Sequence, residues 1–246
     1  MTAIPDQPML YDAGDNQPND RQVALELDAL FADPRRPPAV GAVDEACRGS
    51  LTGLYDWCAA TFRFLLVTAE MTEALAAELR AAGARSCVEV GAGRGELSLA
   101  LDACRVPCIP TDDYSWTVRP KATGGIYAAR VRRLGHREAL DLLRPDTVIC
   151  AWMPNREDWT PDFRAAASVR RYVLLGTGPH GEVATPVAWD CHAGWMRRAL
   201  PAVEAGARCR VDSLLGTRFA RHRSVVVSWE REQWARRTGR SAPHLD

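Results

Sequence analysis

The sequence has very little lysine: of 31 Lys and Arg residues, only Lys121 is a lysine. Any catalytic amine would have to be Lys121, which lies in the loop-like stretch RPKATGG, and we do not expect it to be catalytic. Net charge is lacking too, because 31 Asp and Glu balance the bases. No overall electrostatic field draws the chain to nucleic acid or to an anionic membrane, so neither is expected as a partner.

Closely spaced cysteines and long apolar runs are also missing. The eight cysteines include no CxxC pair, and a metal site or disulfide framework needs closer clustering. We therefore predict reduced, buried cysteines, no metal and a cytoplasmic location. No segment reaches the roughly 18 apolar residues of a membrane span, and the first residues lack the basic and apolar regions of a signal peptide. The oligomeric state is left open, with a homodimer as one alternative.

Charge is unevenly distributed along the chain. Residues 1–34 carry seven acids against Arg21 alone, whereas residues 205–240 are rich in arginine. Blocks of like charge are usually solvated surfaces. The alternative is that the acidic arm folds over the basic end as a lid.

The N-terminal third has helical patterning. Residues 20–33 have a helical apolar period that the prolines of 34–38 end. Apolar spacing from Val43 to Ala82 predicts two helices with a break near Gly49–Gly53. We divide the chain into a flexible acidic arm, a helical cap, an α/β domain and a basic tail, over residues 1–20, 21–83, 84–231 and 232–246.

Beyond residue 84, short apolar β-rich segments alternate with helical ones, as in a parallel sheet covered on both faces. The strand-like segments are SCVEV, VPCIPTD, DTVICAW and RRYVLLGT, and a helical PVAWDCHAGWMRRAL follows. The segments RCRVDSLLG and SVVVSWE lack a helix-length linker, which predicts an antiparallel pair at the sheet edge. The fold class is α/β, a doubly wound, seven-stranded, mostly parallel sheet with an antiparallel edge strand and an N-terminal helical extension.

The stretch RSCVEVGAGRGELSL, residues 85–99, places a glycine-rich turn between the first strand of this domain and a helix. Ligands of such sheets bind at the carboxyl ends of the strands. The spacing of Gly91, Gly93 and Gly95 is G-x-G-x-G, whereas dinucleotide-binding enzymes have G-x-G-x-x-G and P-loops end in Gly-Lys-Ser/Thr. Glu89 would repel a pyrophosphate and suits a ligand with a cationic amino group. A nicotinamide dehydrogenase is therefore disfavoured.

The pattern VEVGAGRGELSLAL resembles the first motif of class I S-adenosylmethionine (SAM)-dependent methyltransferases. The resemblance extends over roughly residues 86–230 and implies SAM as cofactor. It implies that the glycine turn lies against the methionine and adenosine parts of SAM and that Glu89 helps to hold the amino-acid end. Asp112, seventeen residues after Gly95, would accept hydrogen bonds from both ribose hydroxyls.

Two further segments complete the cofactor site implied by the resemblance. In VRRLGHREAL, His136 stands where the family commonly has an Asp that binds adenine. Backbone at Leu134 and Gly135, or the His136 ring, would then make the adenine contact instead. The alternative is that His136 is an exposed residue at the start of a helix. Trp152, at the end of DTVICAW, would form a wall near the sulfonium, with core packing as the alternative. The predicted cofactor-binding residues are Glu89, Gly91, Ala92, Gly93, Gly95, Asp112, Leu134, Gly135, His136, Ala151 and Trp152.

The predicted catalytic residues lie on loops that follow strands. They are His180, Asp113 and Tyr114, with His180 first because histidine is the usual general base near neutral pH; His192 is a weaker candidate. We predict a SAM-dependent methyltransferase acting on a small organic molecule in secondary metabolism. The alternatives are an RNA or protein methyltransferase and a SAM-binding protein that does not methylate, whether an enzyme of cyclisation or rearrangement or a regulator.

Overall fold

The computed structural model describes residues 18–48, 50, 52–115, 130–179, 181, 183–210 and 224–237. Most of the predicted acidic arm and basic tail, and part of the arginine-rich segment, lie outside the described residues.

Three short helices open the described chain: α1 (Pro18–Leu30), α2 (Val40–Ala46) and α3 (Gly53–Thr61). The helix predicted over residues 20–33 is thus confirmed. The three helices share an apolar cluster that includes Leu27, Val43 and Trp57. Burial of these side chains, and not helix propensity, stabilises segments of this length.

Between Val43 and Ala82 the chain forms three helices where the sequence predicted two. The predicted break near Gly53 is present, and a second break follows α3, where Phe62 adopts a left-handed conformation with φ 55°. A two-residue strand, β1 (Leu65–Leu66), precedes α4 (Ala69–Ala81). The Thr68 side chain caps α4 by accepting a hydrogen bond from the Met71 N–H, as expected of an N-cap threonine.

Within the described residues, seven strands form the main sheet, in the order β4-β3-β2-β5-β6-β9-β7. Its members are β2 (Cys87–Val90), β3 (Cys108–Asp112), β4 (Arg132–Arg133), β5 (Thr147–Ala151), β6 (Arg171–Gly176), β7 (Trp195–Ala199) and β9 (Val225–Arg231), while β8 (Arg208–Cys209) pairs with β1. The strands β4, β3, β2, β5 and β6 pair in parallel. Strand β9 is antiparallel to both β6 and β7.

Helices cover both faces of this sheet, as the sequence predicted for a doubly wound fold. They are α5 (Glu96–Ala103), α6 (His136–Leu143), α7 (Thr160–Ala165), α8 (Pro201–Gly206) and α9 (Glu232–Arg237). Buried side chains of α4, α5 and α8, such as Leu75, Leu101 and Val203, pack on one face of the sheet. Those of α6 and α7, such as Leu140 and Phe163, pack on the other.

The antiparallel pairing predicted from the sequence is wrong. RCRVDSLLG and SVVVSWE do not form a hairpin at the edge: Cys209 pairs with Leu65 of β1, and β9 lies between two strands. The antiparallel edge strand is β7, which lies within a segment predicted to be helical. Only Pro186–Trp189 of that segment is helical, as one 3-10 turn, and Gly194 at φ 77° precedes β7. Pairing with β9 overrides the helical apolar spacing.

No helix in the described part of the chain is both long enough and apolar enough to cross a bilayer.

Candidate functional site

The carboxyl ends of β2, β3 and β5 meet at one edge of the sheet. The pairs Val90–Thr111 and Glu89–Ile149 fix the register of these parallel strands. The residues that follow each strand therefore lie side by side, at the position where doubly wound sheets bind ligands.

The glycine turn after β2 is held by hydrogen bonds to the end of β3. The N–H of Ala92 donates to the Thr111 carbonyl at 2.9 Å, and the N–H of Gly93 donates to the Asp112 Oδ2 at 2.9 Å. Gly91, Gly93 and Gly95 have φ values of 64°, 50° and 70°, a region that side chains disfavour. The three glycines are thus required by the backbone of the turn itself.

Each glycine also meets a different environment. A Cβ on Gly95 would lie 2.8 Å from a Val131 methyl, and one on Gly91 would lie 3.2 Å from the Trp159 ring. A Cβ on Gly93 would meet no described atom within 4 Å. Gly95 and Gly91 therefore allow close packing within the protein, whereas Gly93 borders open space.

Glu89 is buried beneath the turn, with 2% of its surface exposed. Its Oε2 accepts hydrogen bonds from the Ser98 N–H at 3.1 Å and the Ser98 hydroxyl at 2.5 Å. Its Oε1 accepts none from the residues that the structure describes. Burial raises the pKa of Glu89 from 4.5 to about 7, against the opposing effect of the Ser98 hydrogen bonds. Without a ligand, this carboxyl is therefore partly protonated near neutral pH.

Replacing Glu89 with glutamine should change how stability depends on pH. Between pH 4.5 and about 7 the unfolded chain has released the Glu89 proton while the folded protein retains it, so stability falls as pH rises. The neutral Glu89→Gln variant escapes this loss. Its free energy of unfolding relative to wild type should therefore rise across this range by up to about 3 kcal/mol. Urea titrations of both proteins at several pH values measure the difference, and a pH-independent difference would contradict the assignment.

Asp112 ends β3 and joins two backbone segments. Besides the Gly93 N–H, its carboxylate accepts a hydrogen bond from the Tyr114 N–H at 2.8 Å, through Oδ1. Burial raises the pKa of Asp112, although the two backbone hydrogen bonds oppose the shift. A carboxylate has about four acceptor positions, so each oxygen keeps a lone pair for a ligand hydroxyl.

The neighbouring Asp113 and Tyr114 are engaged locally. Asp113 is exposed and accepts a hydrogen bond from the Ser115 N–H at 2.8 Å. The Tyr114 hydroxyl donates to the Val131 carbonyl at 2.9 Å, and burial together with the nearby Asp112 raises its pKa. The catalytic role of both residues stays a prediction.

The loop after β4 lies beside β3. The Leu134 N–H donates to the Asp112 carbonyl at 3.1 Å, and Gly135 is the N-cap of α6. His136 is partly buried: its Nε2 lies 2.9 Å from the Asp162 Oδ2. The His136 ring stacks on Trp159 at 4.6 Å between centroids. Because the Trp159 ring also approaches Gly91, these aromatic groups link the α6 start to the glycine turn, a contact that the sequence analysis did not predict.

The end of β5 supplies an aromatic wall. Trp152 adopts a left-handed conformation with φ 67°, and its ring stacks on Phe64 at 5.8 Å with an interplanar angle of 27°. The Arg210 guanidinium lies 4.9 Å from the centre of the Phe64 ring and 5.9 Å from that of Trp152. Strained backbone at a strand end, with rings beside it, is typical of functional sites.

These elements border an open cavity of about 80 Å³. The predicted residues that line it are Glu89, Gly91, Ala92, Gly93, Ala151 and Trp152, joined by unpredicted residues of the segment before β1, among them Arg63 and Phe64. Asp112 is connected to these lining residues by the hydrogen bond that its carboxylate accepts from the Gly93 N–H. No local pattern in the sequence points to Arg63, because its contact partner Glu96 lies 33 residues further along the chain.

The two histidine candidates for a general base differ in position. His180 lies outside the described residues, so its role stays a prediction. His192 precedes β7, whose Trp195 pairs with Arg231. That pair lies at the edge where β6 begins, since Arg171 pairs with Glu230. His192 therefore lies near the amino ends of the parallel strands, whereas the glycine turn lies at their carboxyl ends.

No group of three or more His, Cys, Asp or Glu side chains within the described ranges could hold a metal ion.

The sequence matches no protein-family model and no curated protein. Solved structures of similar fold include the mitomycin 7-O-methyltransferase MmcR, at 16% identity over 87% of this chain and 69% of that one, TM-score 0.39. The N-terminal domain of EvdMO1 with SAH (S-adenosylhomocysteine) bound matches at 17% identity over 67% of this chain and 82% of that one, TM-score 0.35. Human N-acetylserotonin methyltransferase in complex with SAM matches at 10% identity over 85% and 66%, TM-score 0.39.

At these identities the likeness concerns the fold alone. The strand order and the glycine turn of this chain give the protein a doubly wound, Rossmann-like α/β fold.

Proposed function

We propose that this protein is a SAM-dependent methyltransferase that acts on a small organic molecule. The observation that supports this most is the open turn at Gly93 between two carboxyl groups. Gly93 has open space where a Cβ would stand, its N–H is held by Asp112, and Glu89 lies under the same turn. Dinucleotides carry a pyrophosphate that buried acids would repel, whereas SAM carries an ammonium group and ribose hydroxyls instead.

The described residues offer a partner for each part of SAM in this proposal. Glu89 lines the cavity, and its Oε1 would accept a hydrogen bond from the ammonium group. Such a cation favours the ionised form of Glu89 and would offset the burial that raises its pKa. The free lone pairs of Asp112 would accept the ribose hydroxyls. Backbone at Leu134 and Gly135, with His136, is our proposal for the adenine side.

SAM, when bound, supplies a methyl group on a positively charged sulfur. The protein's contribution is to hold the acceptor atom in line with that methyl, at about 3–3.5 Å. Trp152 directly follows β5, the strand beside β2, and its ring would face the cationic sulfur and the acceptor. His180, Asp113 and Tyr114 are our proposed candidates for removing a proton from the acceptor, where the acceptor carries one.

A small acceptor is favoured by the walls of the cavity. Phe64 and Trp152 offer stacked rings, and the segment that carries Arg63 and Phe64 lines the cavity. Clefts lined by aromatic and apolar side chains are typical of small-molecule ligands. The balanced charge of the whole chain favours such an acceptor over RNA, and an enzyme of secondary metabolism would have one.

Isotope transfer tests the proposal. With methyl-labelled SAM and a panel of aromatic and other small metabolites, we expect label in a small product together with an equal amount of SAH. RNA and a protein extract serve as competing acceptors. Label found only in RNA or protein would refute the substrate class. SAM that binds but yields no SAH with any acceptor would support a non-methylating protein instead.

A further inference from the structure

Arg63 lines the cavity and is a buried charged residue without a role in the proposed function so far. It follows Phe62 in the break between α3 and β1, and its side chain is 7% exposed. Its Nε donates to the Glu96 Oε2 at 3.1 Å and its Nη2 to the Glu96 Oε1 at 2.7 Å. Nη1 makes no hydrogen bond to any residue in the described part of the chain. Both N–H donors of Nη1 and the second of Nη2 are therefore left for a ligand on this buried guanidinium.

Aromatic rings of the N-terminal helices hold this guanidinium in place. Its central carbon lies 4.7 Å from the centre of the Trp57 ring and 5.8 Å from that of Phe31. Both rings belong to the apolar cluster of α1 to α3. Arg63 thus connects that cluster to Glu96, the first residue of the helix that follows the glycine turn.

The charges around the cavity match a zwitterion. Arg63 and Arg94 both bond Glu96, so two positive charges face one negative charge and leave a net charge of plus one. Glu89 is the nearby acid under the turn. Arg94 is 31% exposed, so its charge is screened by water, whereas the charge of buried Arg63 is screened much less. An α-amino acid group would place its ammonium toward Glu89 and its carboxylate toward Arg63.

We propose that Arg63 binds the α-carboxylate of the amino-acid end of SAM. Charge-assisted hydrogen bonds between guanidinium and carboxylate are among the stronger polar contacts in proteins. Through this contact the bound cofactor is tied to the helices α1 to α3, so the N-terminal segment takes part in cofactor selection. This inference rests on the proposed function, because it names a residue of the same site.

A pair of ligands that differ in the amino-acid group isolates the contact. SAH has the α-carboxylate; 5′-methylthioadenosine has the same nucleoside and a thioether but no amino-acid group. For Arg63→Gln, calorimetry should show SAH affinity reduced by about 10- to 100-fold and methylthioadenosine affinity within about twofold of wild type. Arg63→Lys keeps the charge but loses the planar fork, so it should give an intermediate loss for SAH. Arg85→Gln, at an exposed arginine, should affect neither ligand.

Each other result has a distinct meaning. Equal losses for both ligands in Arg63→Gln would show that Arg63 only supports the structure. Unchanged SAH affinity would show that it does not touch the carboxylate. If Arg63→Gln does not fold, the ratio of the two affinities in Arg63→Lys decides between these outcomes. Wild-type protein that binds neither ligand would overturn the proposed function, and a selective loss in Arg63→Gln can be seen only when wild type binds both.

Discussion

Replacing Gly93 with valine should lower the affinity for SAM and SAH on the order of 100-fold or more, while the fold persists. No described atom lies within 4 Å of a Cβ built on Gly93. The valine side chain would therefore meet a ligand against the turn and not the protein. The substitution also strains the backbone, since φ is 50°, at about 1–2 kcal/mol. Calorimetric titration with SAH measures the loss.

Gly83 provides a matched control for that strain. It has φ 67°, and a Cβ there also meets nothing within 4 Å, but it follows α4, away from the glycine turn. Gly83→Val should lose stability to a similar extent and bind SAH as the wild type does. If both variants bind SAH normally, the nucleoside does not lie against the turn after β2.

The second large effect is expected at Asp112. Asp112→Ala should weaken SAH binding on the order of 100-fold, because the two charge-assisted hydrogen bonds that we propose between Asp112 and the ribose would be lost together. Part of the loss comes from the turn, since the Gly93 and Tyr114 N–H groups lose their acceptor. Asp112→Asn retains an acceptor oxygen and should give a smaller loss. Titrations of both variants with SAH provide the comparison.

An analogue of SAH without the two ribose hydroxyls separates the two contributions. If Asp112 binds the ribose, the Asp112→Asn substitution should affect this analogue much less than it affects SAH. Asp141→Asn, at an exposed acid on α6, serves as the control and should alter neither affinity. Equal effects of Asp112→Asn on both ligands would show that Asp112 only stabilises the turn and does not bind the ribose.

The glycine turn and its two acids are local features, which is why the sequence could predict them. Apolar runs bounded by turn residues identified β2, β3, β5 and β6. The order of these parallel strands then brought Glu89 and Asp112 to one edge. The positive φ values at Gly91, Gly93 and Gly95 confirm that the turn needs glycine. Their binding roles remain proposals.

Features that depend on distant pairing could not be predicted in the same way. Trp195 and its neighbours have a helical apolar spacing, yet they form a strand because β9 offers a hydrogen-bonding edge. Arg63 lies within a segment of helical pattern, and only the break at Phe62 places it against Glu96. The contact of Trp159 with Gly91 likewise depends on how the loop after β5 folds back. None of these leaves a periodic signal in the sequence.

The left-handed backbone at Trp152 has a consequence for engineering a more heat-resistant form. A glycine there would remove a conformational penalty of about 1–2 kcal/mol. The same exchange would delete the ring that stacks on Phe64 and packs against the core. Removing a packed aromatic side chain costs about 3–5 kcal/mol, more than the relief of strain provides, so a heat-resistant form has to keep this ring and gain its stability at other positions.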